Sequence, residues 1–182
     1  FTGITTQKGM LTVTPASLTI STGSASKPYD ATALTNSDVS VVGLQGSDSI
    51  TVTATGTITY IGTAGNTYTI DWGDVNPDNY VITENLGTLT IDGNTDLITL
   101  KAGSAEKVYD GTELTTHEFI IEGAIPDGIE ITATVSGNQK DAGSSASEIT
   151  AYTIMAGGED VTSSFTGITT QKGMLTVTPA SL

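Results

Sequence analysis

Lysine, tyrosine, aspartate and threonine recur in this 182-residue chain at one spacing: Lys27, Tyr29, Asp30 and Thr32, then Lys107, Tyr109, Asp110 and Thr112. An ammonium three residues before a carboxylate admits two chemistries. Given a buried Asp or Asn and a catalytic Glu, the lysine would close an intramolecular isopeptide bond. Otherwise its stem covers the tyrosine while the aspartate opens a turn. Acids are sparse around Lys27 and no glutamate holds a fixed place beside it, so the turn is expected. Asp74-Val75-Asn76-Pro77-Asp78 sets oxygen ligands at alternate positions, as a calcium loop does. Asn79 stands where that loop needs glycine and Asn85 where it needs glutamate. A turn is again the expectation, and the second half of the chain keeps only Asp160, Thr162 and two serines there. His117 is the single histidine and has no nucleophile-elbow sequence to serve, which predicts a surface or capping role. Trp72, the single tryptophan, could be a sugar-stacking platform, but core or half-buried packing is expected. The Gly-x-Gly spacings fall in turns with no following helix, so no phosphate loop is present. No catalytic, cofactor-binding or metal-ligating residue is assigned, no cofactor is expected, and the chain does not read as an enzyme.

The elements that place these residues come from a repeat. Residues 1–18 (FTGITTQKGMLTVTPASL) recur unchanged as residues 165–182, which sets a period of 164. The chain therefore reads as one phase of a longer tandem array, an architecture whose units contact mainly their neighbours. The period itself divides. Leu18 to Thr32 reappears, diverged, as Ile98 to Thr112, and Gly87 to Ile91 reappears as Gly173 to Val177. The expected organisation is 1–17 as closing strands of a preceding repeat, 18–94 as repeat A and 95–182 as repeat B.

Modules of about 80 residues lie at the small end of what one core stabilises. Thirty-five threonines and twenty-one glycines, with many valines and isoleucines, favour half-exposed sheet over helix. Six lysines, no arginine and 20 acids give a net charge of −14, which repels nucleic acid phosphate and anionic lipid. Cysteine is absent, so there are neither disulfides nor a thiolate nucleophile. The longest apolar runs, such as Val39 to Leu44, are too short to span a bilayer, and no membrane insertion is expected.

Period-two alternation predicts a strand over Ile50 to Tyr60, with Ile50, Val52, Ala54, Ile58 and Tyr60 on one face and threonines on the other. Its counterpart is Ile129 to Val135, with Ile129, Ile131, Ala133 and Val135 inward. Further strands are predicted at 39–42, 66–72, 80–84 and 88–91 in A, and at 119–122, 149–155, 165–168 and 174–178 in B. Turn residues separate them at Gln45 to Asp48, Gly62 to Asn66, Asn76 to Asn79, Pro126 to Gly128 and Asp141 to Gly143. Thr35 to Asp38 and Thr115 to Glu118 could each form one capped helical turn. The B-to-A joint, Pro15-Ala16-Ser17, is expected to be short and stiff. The A-to-B joint, Asp92-Gly93-Asn94-Thr95-Asp96, is richer in turn formers and expected to bend more. The fold class expected is all-β, as two tandem small β-sandwich or grasp-like domains arranged end to end.

The order of these pieces resembles a family. Lys-x-Tyr-Asp-Gly-Thr near the module start, the stretch Gly123, Asp127, Ile129 and Ala133, the Asp141-Ala142-Gly143 of B, and the ending Asp78-Asn79-Tyr80-x-Ile82 with Gly87 to Ile91 are similar to YDG and MBG-type tandem repeats of large bacterial cell-surface proteins and adhesins. Repeat A departs at Ala31, where the family has glycine, so a different turn is expected there. The resemblance covers essentially the whole chain, twice. It implies an extracellular stalk or adhesin repeat on the bacterial cell surface, without enzymatic activity.

The function expected from sequence is therefore structural: a stalk or fibre-forming repeat that supplies extension and rigidity, its partners neighbouring copies of the same repeat, head to tail. The alternative is an adhesive module that binds host glycan or protein. Residues 1–17, with apolar Phe1, Ile4, Met10, Leu11 and Val13 and an otherwise unpaired edge, are expected to form strand with residues outside this chain.

Overall fold

The computed structural model describes residues 3–181 and is all-β, with 51% of residues in strand and 3% in short helix. Repeat A supplies β1 (Ala16–Thr22), β2 (Ala25–Pro28), β3 (Val39–Val42), β4 (Thr51–Ala54), β5 (Gly62–Gly65), β6 (Tyr68–Asp71), β7 (Tyr80–Asn85) and β8 (Thr88–Asp92). Repeat B supplies β9 (Ile98–Ala102), β10 (Ala105–Val108), β11 (Phe119–Glu122), β12 (Ile129–Ser136), β13 (Gly143–Ala156), β14 (Glu159–Asp160), β15 (Ile168–Gln171) and β16 (Gly173–Thr178). Among the described residues no helix is long and apolar enough to cross a membrane.

The two repeats share one pairing scheme. The first strand of each lies between an antiparallel and a parallel partner, in the orders β3-β1-β7 and β11-β9-β15. Because β1 and β9 are central and covered, every second residue is apolar and fully buried: Leu18 and Ile20, then Ile98 and Leu100. The closing strands β8 and β16 are central in turn, in the orders β2-β8-β5 and β10-β16-β13. In repeat B the 14-residue β13 pairs with β16 through its first half and with β12 through its second. Repeat A splits that strand in two, β5 and β6, at Asn66.

Packing forms two compact units. The first comprises the described residues up to Ala25, with Thr35–Thr57 and Thr63–Leu89. Its core is Leu18, Ile20 and Tyr80, against which Val41, Val52, Ile70 and Trp72 pack. The second comprises Ser26–Leu34, Ile58–Gly62 and the described residues from Thr90 on. Its core gathers Tyr29, Ile91, Ile98, Leu100, Ile154, Val161 and Phe165.

Within the second unit, β9 and β15 run parallel, and so do their continuations β10 and β16. The two strands thus turn from one sheet into another side by side, at Gly103 and Gly173. A methyl on Gly173 would lie 2.1 Å from the Gly103 carbonyl oxygen, closer than any real contact. In the first unit Gly87 meets Gly23 in the same way, at 2.2 Å. Neither Gly87 nor Gly173 has a positive φ, so their absent side chain, not backbone freedom, is what these positions require. A buried polar side chain secures each corner. Asn66 Nδ2 donates to the Gly23 carbonyl at 2.9 Å, and Ser147 Oγ donates to the Gly103 carbonyl at 2.5 Å.

Several expectations need correction. The alternating run from Ile50 breaks after Ala54: Ile58 makes only an isolated bridge to Leu34, and Tyr60 is exposed. The cause is Gly56, packed so closely on Asn66 that a Cβ there would lie 2.5 Å from the Asn66 Cα. The predicted turn at Gly62 to Gly65 is strand β5, and the strand predicted at 165–168 lies at Ile168–Gln171. Neither predicted helical turn forms. Asn36 Oδ1 instead accepts from Asp38 N–H and its carbonyl accepts from Asn66 Nδ2, which holds that loop open. The short helices are at Pro77–Asn79 and Thr162–Ser164. Of the segment 1–17, residues 1 and 2 lie outside the described residues, 3–15 form no strand, and β1 begins at Ala16.

Asn66 is fully buried and its amide also donates to the Asn36 carbonyl at 2.9 Å. Asn66→Ala leaves both carbonyls without that donor and should cost about 1–3 kcal/mol. Urea unfolding followed by Trp72 emission, which reports the first unit, measures this directly. An unchanged midpoint would mean that the corner does not depend on the amide.

Candidate functional site

The repeated lysine, aspartate and threonine form one clasp, twice. In the loop after β10, Lys107 Nζ donates to Asp110 Oδ1 at 2.7 Å and to the Thr112 carbonyl at 2.8 Å. Asp110 Oδ1 also accepts from Thr112 N–H at 2.9 Å and Thr112 Oγ1 at 2.8 Å. The loop after β2 repeats this arrangement with Lys27, Asp30 and Thr32 at 2.7, 2.9, 2.9 and 2.7 Å. The aspartate needs one residue between it and the threonine, and that residue takes a left-handed conformation. Gly111 does so at φ 83° and Ala31, the only described non-glycine residue with positive φ, at φ 63°. The different turn expected from Ala31 is therefore not found. Alanine adopts the turn that glycine favours, at a cost of roughly 1–2 kcal/mol.

The clasp is an ion pair, not a nascent cross-link. Both aspartates are partly open to solvent, at 39% and 55% of the side chain. The hydrogen bond from Lys107, with those from Thr112, holds the Asp110 carboxyl below its ordinary range. At Asp30 burial pushes the other way, but Lys27 and Thr32 outweigh it and the carboxyl is again lowered. A charged ammonium facing a charged carboxylate is suited to bracing a turn, whereas amide formation needs both groups neutral.

What differs between the clasps is the tyrosine they present. The Tyr29 N–H donates to the Asp92 carbonyl and the Tyr109 N–H to the Thr178 carbonyl, both at 2.8 Å. Tyr29 is 1% exposed, edge-on to Phe165 with ring centroids 5.9 Å apart, and burial raises its phenol pKa. Tyr109 is 41% exposed. Asn94, buried beside Tyr29, donates from Nδ2 to the Tyr29 carbonyl at 3.0 Å and accepts from Asp96 N–H at 2.8 Å. Its backbone exchanges further bonds with Ser164 and Thr166. The A-to-B joint, expected to bend, is thus held in place by the hydrogen bonds of Asn94.

The first unit holds a cleft of about 350 Å³ lined by Val13, Pro15, Ala16, Asp48, Asn79 and Tyr80, among others. Tyr80 donates its hydroxyl to Asp48 Oδ2 at 2.6 Å, which raises its pKa, and accepts from Gln45 N–H. Trp72 stacks on Tyr80 at 6.1 Å and is half-buried, so it is packing material as expected. Nearby, Tyr68 donates to Glu84 at 2.6 Å; burial and that bond push its pKa up to about 12.

The remaining candidates are turn residues. Asn76 Oδ1 accepts from Asp78 N–H and caps the short helix Pro77–Asn79. Asp160 Oδ1 accepts from Thr162 N–H and Oγ1, which lowers its carboxyl pKa. His117 is exposed, on a loop before β11. Among the described residues no group of three or more His, Cys, Asp or Glu is placed to hold a metal ion. Asn66, Ser147 and Asn94 were not singled out from sequence. Asn66 and Ser147 fall at matching places in the two repeats, a signal legible only with the repeats aligned through β13. No protein-family model and no curated protein sequence matches the chain.

Because the Asp110 carboxyl is lowered in the folded state, the clasp's contribution is fully present above the ordinary aspartate value of about 3.9. It is lost as pH falls through the folded value. In a carbon NMR titration Asp110 should titrate below that ordinary value, and Thr112→Val should move it upward. Titration of Asp110 at its ordinary value would refute the clasp.

Proposed function

We propose that the chain is a structural module: a stalk or fibre-forming repeat of a bacterial surface protein, exposed outside the cell, that supplies extension and rigidity. One observation carries this reading. The identical sequences Gly9–Thr14 and Gly173–Thr178 occupy opposite environments. Leu175 and Val177 are 0% and 2% exposed, whereas Leu11 and Val13 are 100% and 95% exposed. A segment that can complete a core but has none of its own in this chain is what a head-to-tail repeat provides to its neighbour.

Two further features agree with it. Tyr29 of repeat A and Phe165 of repeat B share one core, so successive repeats need each other to bury their apolar residues. The repeated lysine, aspartate and threonine brace turns. For the alternative, an adhesive module for host glycan or protein, Trp72 offers no free platform, because it stacks on Tyr80.

Small-angle scattering on this chain and on one lengthened by a 164-residue period tests the proposal. A strand of about ten residues spans roughly 33 Å, so two modules in line should add roughly 70–90 Å to the maximum dimension. A radius of gyration for the 182-residue chain near about 16 Å, that of a globular domain, would contradict it. Specific binding to mucin by a compact chain would favour adhesion instead.

A further inference from the structure

Tyr29 and Tyr109 occupy the same place in their repeats, follow the same kind of strand and are braced by the same clasp, yet only Tyr29 has a seat. That seat lies edge-on to Phe165 in the buried cluster that also holds Ile91 and Val161, with Asn94 at its rim. Its counterparts in the first unit follow from the two short helices, since Tyr80 closes Pro77–Asn79 as Phe165 closes Thr162–Ser164. Asn94 bridges Phe165 in parallel, at the point where Ala16 pairs with Tyr80. Tyr80 therefore matches Phe165, and Ala16 matches Asn94. Asp92, which accepts the Tyr29 N–H, matches Thr178, which accepts the Tyr109 N–H. Thr178 has Thr14 as its identical copy, and Thr14 lines the cleft beside Tyr80. The cleft formed by Val13, Pro15, Ala16, Asn79 and Tyr80 is thus the first unit's version of the site that Tyr29 fills in the second.

We infer that Tyr109 is the plug of a second joint: its exposed ring seats in the cleft beside Tyr80 of a second copy of this chain, as Tyr29 seats beside Phe165. The inference rests on the head-to-tail reading above and adds the residues that make the contact. The second copy is the fitting occupant because its Gly9–Thr14 is identical to the strand already paired with β10. Whichever of the two identical strands lies beside Ala105–Val108, Tyr109 ends at the same place. The joint differs from its template in two respects. Ala16 has no side-chain donor for the Tyr109 carbonyl, which Asn94 supplies to Tyr29. Tyr80 is already engaged with Asp48 and Gln45, so its ring, not its hydroxyl, receives the incoming tyrosine. Tyrosine suits this role, since a large rigid ring concentrates binding energy in one pocket.

Trp72 supplies the readout, because it is the only tryptophan and stacks on Tyr80. The full chain is studied in about 0.15 M salt, which screens the repulsion between copies carrying a charge of −14 each. Sedimentation and Trp72 emission should change together as concentration rises. Tyr109→Ala should raise the dissociation constant about tenfold or more, and Tyr109→Phe should leave it nearly unchanged. As a second measure, Tyr109→Cys chains mixed with Asn79→Cys chains should form a mixed disulfide about tenfold faster than Tyr109→Cys with Thr134→Cys, since the seat raises the effective thiol concentration. If the chain associates but Tyr109→Ala associates equally well, with no preference among the cysteine pairs, head-to-tail assembly stands and this joint is wrong. If the chain stays monomeric and Trp72 emission is constant throughout, both fail.

Discussion

The fold depends on the close approach of two pairs of backbone at glycine. In the second unit β9 and β15 are parallel neighbours in one sheet, and their continuations β10 and β16 are parallel neighbours in the next. Two strands can change sheets together only if both bend at one level, and the bend brings Gly173 onto the carbonyls of Gly103 and Ala102. Any side chain at that point would force the strands apart. With the corner formed, β9 buries Ile98 and Leu100 on one side of it, and β16 buries Leu175 and Val177 on the other. The first unit brings Gly87 onto Gly23 in the same way.

A corner of this kind exposes carbonyls that no ladder partner reaches, and buried acceptors must find donors. Asn66 and Ser147 answer that need with different chemistry from matching positions. The serine lets β13 run on unbroken, whereas the larger asparagine also accepts from Thr22 through its carbonyl and interrupts the strand. The same economy recurs at the joint between repeats. Asn94 ties Tyr29, Asp96, Ser164 and Thr166 together, so that an aromatic ring from repeat A becomes core for repeat B. Shared cores of this type give a repeat protein its continuity, since stability resides partly in the contacts between units.

The period, the all-β class and most central strands were legible in the residues because burial imposes alternation on them. Ile129 to Val135 alternates and forms a strand with those residues inward. The short flanking strands β2, β5 and β10 were not legible. They are half-exposed four-residue runs, Ala-Ser-Lys-Pro, Gly-Thr-Ala-Gly and Ala-Glu-Lys-Val, without apolar alternation, and their strand character comes from pairing with β8 or β16. The reading of Gly62 to Asn66 as a turn followed composition where tertiary pairing decided the outcome. Tyr60 was placed inward by extending a period through Gly56, where contact with Asn66 breaks it. The clasp's turn was legible from Lys-x-Tyr-Asp-x-Thr, but the unequal fate of its two tyrosines was not, since Tyr29 is buried against Phe165, which is distant in sequence.

The most direct test of the corner compares alanine at two glycines with identical flanking sequence. Gly173 lies at the crossing, while Gly9 has open space around it, and neither has a positive φ. Gly173→Ala should destabilise the second unit by about 1–3 kcal/mol or more through overpacking, and Gly9→Ala should change stability by less than about 0.5 kcal/mol. Guanidinium unfolding followed by circular dichroism measures both. Equal midpoints for the two variants would contradict the corner as the constraint on which the fold rests.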